Sequence, residues 1–208
     1  METLFNEGLL EYVEKEIFPL YELNDEAHNF KHINYVIKRS LKFAENIKDI
    51  NLDMVYTIAS YHDIGHHIDH LNHEKVSAEI LYKDENLKKY FNKEEINIMK
   101  EAIEDHRASA TNHPRSIYGK IVSSADRNTL VDKHLERTYL YITKDMNNLG
   151  DIIIDAIGHT IKKFGEEGYG AHKMYFEDKE YDEFLREIRE LTNNEKAFTK
   201  RFKKVNNI

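Results

Sequence analysis

The sequence contains no cysteine, only two prolines and only eight glycines among its 208 residues. The absence of cysteine excludes a disulfide framework and any catalysis or metal binding by a thiolate. Proline and glycine are the residues that most often form tight turns, so their scarcity argues against a β-rich fold. We therefore expect long helices joined by short connections.

Long apolar runs are missing as well, and the N-terminal segment does not resemble a secretory signal. No stretch approaches the roughly 20 apolar residues that span a bilayer. The first residues, METLFNEGLLEYVEKE, carry acidic side chains throughout and lack a basic n-region. We therefore expect a soluble cytoplasmic protein that has no membrane partner.

The charge balance also excludes one class of partner. The formal net charge is −8, from 38 acidic and 30 basic residues. Binding of nucleic acid over a broad surface depends on clustered Lys and Arg, so this balance argues against DNA or RNA. A local basic pocket for a small phosphorylated molecule remains compatible with it, and the composition leaves the oligomeric state open.

Apolar residues recur at helical spacing, and no segment alternates in the way that is typical of a strand. We predict an all-α fold in which Asn24 or Asp25 caps the second helix. The predicted organisation is a metal-binding helical domain at residues 1–148 and a helical C-terminal extension at 149–208, packed on the same domain. The expected helices cover residues 3–17, 26–47, 52–64, 72 onwards, 93–106, 116–130, 131–146, 151–164, 179–191 and 195–204.

The segment from Tyr61 to His73, Y-H-D-I-G-H-H-I-D-H-L-N-H, holds five of the twelve histidines. In the helix before it, apolar residues are spaced so that His62 continues the inward stripe, with Asp63 next along the chain. Buried polar side chains need a partner, and a metal ion supplies one. Imidazole together with carboxylate suits Zn, Mn, Fe or Ni. We expect Gly65 to end this helix in a left-handed conformation.

Three more candidate ligands lie on other predicted helices. His106 continues an apolar stripe, Asp126 follows the inward Val122 by four residues, and His32 lies near the edge of an apolar face. A single inward histidine is most often an ordinary core residue, whereas carboxylates are almost never fully buried unless they are paired. Several such residues on separate helices are more simply explained by one shared site.

This ordered set resembles the HD-domain superfamily of metal-dependent phosphohydrolases, in which a histidine, an adjacent His-Asp pair and a distant aspartate lie on helices of a bundle. The resemblance covers roughly residues 27–130 and includes the stretches Y-H-D-I-G-H and S-S-A-D-R. It implies an HD-domain-like helical bundle and a first metal ion, held by His32, His62, Asp63 and Asp126.

Some branches of that superfamily hold a second ion through two further histidines. His73 in N-H-E-K-V-S-A-E-I-L and His106 in E-A-I-E-D-H-R match those motifs, with serine and arginine at positions where these branches often have glycine and histidine. The resemblance therefore implies one or two divalent transition-metal ions per chain, with Asp63 as the bridge between them.

Four residues near these ligands are candidates for the catalytic chemistry. His66 could protonate the leaving oxygen because its side chain titrates near neutral pH, and His67 is an equally placed rival. Arg107 and Arg127 directly follow two candidate ligands and could bind phosphate oxygens. Most arginines on helices are solvated or paired, and this is the more common role for such residues. His28 shares a helix face with His32, as a surface residue or as a second half of a metal pair.

The resemblance favours a metal-dependent phosphohydrolase acting on a small phosphorylated substrate, such as a nucleotide or a related phosphate ester. Two other classes of protein remain open. One is a di-iron oxygenase with the same ligand set, and the other is a non-catalytic ligand sensor in which the metal only staples the fold. The sequence does not name the substrate, the metal or the role of the C-terminal region.

Overall fold

The computed structural model describes residues 5–25, 28–146, 148–172 and 174–208. Within these ranges the secondary structure is helical and no strand occurs, which confirms the predicted all-α fold. Thr3 and Glu26, the predicted starts of the first two helices, lie outside the described residues, as does Ala27. The α-helices are α1 (Glu7–Tyr12), α2 (Phe30–Ala44), α3 (Leu52–Tyr61), α4 (His73–Lys83), α5 (Lys93–Glu104), α6 (Ile117–Ala125), α7 (Val131–Ile142), α8 (Leu149–Phe164), α9 (Lys179–Thr192) and α10 (Glu195–Asn206).

The chain packs as two compact units, the first ending at Asp126 and the second beginning at Arg127. This division falls before α7, whereas the predicted boundary falls between α7 and α8. The physical reason is that α7 packs against α8 and α10 and so shares its core with the C-terminal helices.

Helix α3 is the centre of the first unit. It packs against α2, α4, α5 and α6, and every residue from Met54 to Tyr61 is buried. A helix that is buried on all sides must carry apolar side chains around most of its circumference, and most of the side chains of α3 are apolar. The His62-Asp63 pair follows the last turn of α3, and this places both residues inside the unit.

The helix that carries His32 begins later than predicted. Asn29, rather than Asn24 or Asp25, is the N-cap of α2, and its side-chain oxygen accepts the backbone N–H groups of Lys31 (2.9 Å) and His32 (3.4 Å). Such a cap satisfies amide groups that have no partner within the helix. His32 consequently lies in the first turn of α2 and not in its middle.

Gly65 is required for a different reason from the predicted one. Among the described residues no glycine has a positive φ, so Gly65 is not left-handed. A Cβ atom at this position would lie 2.6 Å from Val76 Cγ1 and 2.8 Å from the backbone nitrogen of Ser77. Ser77 Oγ also accepts the Gly65 N–H at 3.0 Å. The glycine therefore lets the turn after α3 lie directly on α4.

The second unit comprises α7 to α10 around its own apolar core. The largest side chains of this core are aromatic: Phe164, Tyr181, Phe184, Phe198 and Phe202. At its surface, Arg201 Nε contacts Asp132 Oδ1 at 2.6 Å and joins α10 to α7. In the described ranges, no helix is long and apolar enough to cross a membrane.

Candidate metal centre

The six predicted ligands of the first unit all lie at helix ends. His32 is in the first turn of α2, and His73 is the first residue of α4, while the others follow the last turns of α3, α5 and α6. Helix ends from five segments therefore converge on one place. The residues brought together are His32, His62, Asp63, His73, His106 and Asp126.

Four of these residues form a first cluster, in which one possible ligand atom from each lies within 4.8 Å of the others. His32 Nε2 is 3.3 Å from Asp63 Oδ2 and 3.2 Å from Asp126 Oδ1. His62 Nε2 is 3.4 Å from Asp63 Oδ2 and 3.9 Å from Asp126 Oδ1. Two imidazoles and two carboxylates thus face a common point.

A second cluster shares Asp63 with the first. The other carboxylate oxygen, Oδ1, lies 3.3 Å from His73 Nε2 and 3.6 Å from His106 Nε2. The two imidazole nitrogens are themselves 3.3 Å apart. Because Oδ2 faces the first cluster and Oδ1 faces the second, the Asp63 carboxylate has the geometry of a bridging ligand.

Three of the histidines are oriented by the same local contact. Nδ1 of His62 donates to Ala59 O (2.8 Å), that of His106 to Ile103 O (2.7 Å) and that of His73 to His70 O (3.1 Å). A carbonyl oxygen only accepts, so the proton of each neutral ring is on Nδ1 and the lone pair is on Nε2. Each lone pair then faces the clusters, which is the arrangement of metal-ligating histidines.

The first cluster contains polar atoms that the described protein groups do not satisfy. His32 Nε2 and His62 Nε2 are buried and have no well-directed hydrogen bond within the described ranges. Buried polar atoms almost always have a partner, and a cation bound between the carboxylates would provide one for both nitrogens. Nitrogen and oxygen donors in this ratio fit a divalent transition metal.

The charges of the clusters favour a cation. Burial alone would raise the pKa of Asp63, but His62 and then His106 and His32 hold that pKa well below its usual range. Burial likewise opposes the lowering of the Asp126 pKa, which His32 brings about. Both carboxylates are therefore ionised at neutral pH.

The imidazoles respond to the same surroundings in different ways. Burial lowers the pKa of His62 to about 4, so this ring is neutral at pH 7. Burial would also lower the pKa of His32, but Asp126 and Asp63 raise it to about 9. A metal ion would displace the His32 proton, which makes binding at the first cluster dependent on pH.

A third cluster of possible ligands borders the first two. Asp25 Oδ1 is 2.7 Å from His28 Nδ1, and the rings of His28 and His66 stack with their centroids 3.7 Å apart. His66 is also close to the second cluster, with 5.2 Å between its ring centroid and that of His73. Burial, and then the proximity of His28, lowers the pKa of His66 to about 4.

Asn24, which the sequence predicts only as a possible helix cap, is also a residue of the site. Its side chain donates to the Asp63 carbonyl (2.9 Å) and accepts from the His67 backbone N–H (3.0 Å). The same oxygen lies 3.0 Å from His67 Nδ1. His67, the alternative to His66 as the acid, is exposed and contacts Asn24. It belongs to none of the clusters found in the described ranges.

The two candidate phosphate-binding arginines have different environments. Arg107 Nη1 donates to the Leu71 carbonyl (2.5 Å) and to Glu74 Oε2 (3.1 Å), so it connects the end of α5 to the start of α4. Arg127 is buried and is the first residue of the second unit.

Comparison with known proteins identifies the first unit. A family model described as HD domain matches residues 29–129, a range that contains every residue of the first two clusters. A solved structure, that of a predicted HD superfamily hydrolase from an uncultured Thermotogales bacterium, is 21% identical with a TM-score of 0.49 and covers 74% of this chain and 86% of that chain. No curated protein matches the sequence. Residues 29–129 of this chain therefore form an HD domain, the domain of a superfamily of metal-dependent hydrolases.

Proposed function

We propose that the chain is a metal-dependent phosphohydrolase that acts on a small phosphorylated substrate, such as a nucleotide or a related phosphate ester. The observation that carries this proposal is the Asp63 carboxylate, whose two oxygens face the Nε2 atoms of two separate pairs of histidines. Two neighbouring divalent ions would fit this arrangement, and two-metal sites are common in enzymes that hydrolyse phosphate esters.

The chain offers four ligands to the first ion and three to the second. The first set is His32, His62, Asp63 and Asp126, and the second is Asp63, His73 and His106. A bound divalent ion would lower the pKa of a water molecule and neutralise phosphoryl oxygens. Three protein ligands at the second position leave room there for water or substrate.

We assign the leaving-group proton to His66. Its ring lies between His28 and His73, within reach of a substrate at the second cluster. His66 is neutral at pH 7, so it would first take up a proton as the anionic phosphate group binds. The Asp25–His28 pair stacked against it is a route by which that proton could arrive.

Arg107 is better placed for a supporting role than for direct phosphate binding. Its guanidinium already binds Glu74 and the Leu71 carbonyl, on either side of His73 in the sequence. We infer that Arg107 positions His73. The phosphate contact of Arg127 stays a prediction from the sequence, and the residue is buried.

The same ligand set would serve a di-iron oxygenase, a reading that the second histidine cluster also favours. The test is to load the protein separately with Mn, Fe, Ni and Zn and to measure bound metal, phosphate release and oxygen uptake. The substrates would be a panel of nucleotides and simple phosphate esters.

We expect two ions per chain and release of phosphate without oxygen consumption. The Asp63→Asn variant should be inactive, whereas His113→Ala, a change to an exposed histidine outside the clusters, should match the native protein. Oxygen uptake by the two-iron form without phosphate release would favour the oxygenase. Bound metal with neither activity would favour a sensor in which the ions only staple the fold.

A further inference from the structure

Helix α8 of the second unit has an apolar face that its own core does not use. Ile154 and Ile161 are 68% and 48% exposed, and Ile154 is the most exposed large apolar side chain in the described part of the chain. The two isoleucines are seven residues apart and so lie on one stripe of the helix. The opposite face, with Ile152 and Ala156, is buried in the core.

Gly158 lies between these isoleucines on the same exposed face. A Cβ atom at Gly158 would meet nothing within 4 Å, so no contact inside the described chain requires glycine there. Glycine in a helix interior is less favourable than alanine, so its presence there needs a reason. A glycine flanked by exposed isoleucines does, however, allow a second helix to approach closely.

The charges beside the stripe match those of an inverted copy of the same helix. The exposed residues Asp151 and Asp155 lie in the N-terminal half of α8, and the exposed Lys162 lies in the C-terminal half on the same flank. An antiparallel pair related by a two-fold axis brings the same flank of both helices together. Acidic groups of one copy then meet the basic group of the other at both ends of the pair.

One register satisfies the apolar and the charged residues together. If Ile154 of one copy lies opposite Ile161 of the other, the two-fold axis passes between residues 157 and 158, beside Gly158. In that register Lys162 of the second copy lies two residues, or about 3 Å along the axis, from both Asp151 and Asp155. Tyr141 of α7, whose ring is near that of His159, extends the exposed surface on this flank.

We propose that α8 is a homodimer interface and that its occupant is α8 of a second copy of this chain, antiparallel and centred beside Gly158. Such an interface is isologous, so each contact occurs twice. The face is polar at its flank and apolar at its centre, as is usual for specific interfaces.

The first test compares the full-length native chain with Gly158→Leu by sedimentation equilibrium and thermal unfolding. We expect the native chain to be dimeric, and Gly158→Leu to weaken dimerisation on the order of tenfold or more, because the added side chain fills the crossing point. The same change should leave monomer stability unchanged or raised, since it meets open space within the chain. Leu20→Ser, at an exposed leucine of the first unit, is the matched control and should leave the dimer intact.

The second test exchanges charges and does not depend on how the glycine variant folds. Lys162→Glu alone and Asp151→Lys with Asp155→Lys should each be monomeric, while a mixture of the two proteins should form a heterodimer. A monomeric native chain would overturn the proposal. The proposal would also be overturned if the native dimer were unaffected by Gly158→Leu, or if the charge variants failed to pair when mixed. Either result would place the interface elsewhere.

Discussion

At the scale of single residues, Asp63 is the position on which both candidate ions depend. Its two oxygens contact different histidines, so Asp63→Ala removes a ligand from each site at once. We expect this variant to bind no metal after purification and to unfold at a lower temperature, because the buried imidazoles lose their partner. Elemental analysis and thermal unfolding measure the two effects. Normal metal stoichiometry in the variant would show that the ligands are elsewhere.

His106 separates the two sites. It is buried in the second cluster, with Nε2 3.6 Å from Asp63 Oδ1, and it contributes nothing to the first set of four ligands. His106→Ala should therefore reduce the metal content from two ions per chain to one. Loss of both ions, or of neither, would contradict the division into two sites. Counting ions per chain after dialysis makes the distinction.

His66 tests the assignment of the acid. If it protonates the leaving oxygen, His66→Ala should lower kcat by about 10²–10⁴ while both ions remain bound. His67→Ala is the matched control, because His67 is exposed and tied to Asn24. Unchanged turnover in the His66 variant, or an equal loss in the His67 variant, would move the acid role to another group.

At the scale of elements, the sequence was most informative where one helix face decides the outcome. The stripe that ends at His62 predicts an inward side chain, because periodicity reports which face is buried. Gly65 and Asn24 could not be understood in this way. Their partners lie 12 residues away in Ser77 and 39 residues away in Asp63, and neither contact leaves a local pattern. The boundary between the two units likewise depends on which helices pack together, and such packing leaves no local pattern in the sequence.

The contact of Gly65 with α4 gives a prediction about this element. A methyl group at Gly65 would press on the Ser77 backbone and on Val76, so α4 would have to shift together with His73 at its start. Gly65→Ala should destabilise the protein by about 1–3 kcal/mol and weaken the second metal site more than the first. Denaturant unfolding and metal titration measure these effects.

Gly8→Ala in α1 serves as the comparison, since its new methyl group makes only ordinary contacts, with Asn6 and Tyr90 at 3.4 Å or more. Equal effects of the two substitutions, or a second site that is no weaker in Gly65→Ala, would contradict this account of the turn.

At the scale of the whole molecule, the second unit should respond to acid through His134. This ring is buried, its Nε2 is 3.0 Å from Thr160 Oγ1, and burial together with the nearby Lys163 lowers its pKa to about 3. A histidine with a lowered pKa is held neutral by folding, so its full contribution is present above the unfolded pKa of about 6.5. That stability is lost as the pH falls from 6.5 towards 3.

The expected loss is about 1.4 kcal/mol per pH unit, or about 2 kcal/mol between pH 6.5 and 5. His134→Gln cannot titrate, so its stability should fall less over the same interval. Urea unfolding of both full-length proteins at the two pH values measures the difference, in which the acid response of the metal centre cancels. Parallel pH profiles would mean that His134 does not limit stability in acid.

The three histidines that donate to carbonyls of their own chain segments have a consequence for sequence drift. Each ring is held by the main chain of the residue three positions earlier, namely Ala59, His70 and Ile103. Every amino acid has a main-chain carbonyl, so no substitution at those positions removes the hydrogen bond. A supporting side-chain carboxylate, in contrast, would be lost through a single substitution. The residues around these ligands can therefore diverge in sequence while the histidine rings keep their orientation.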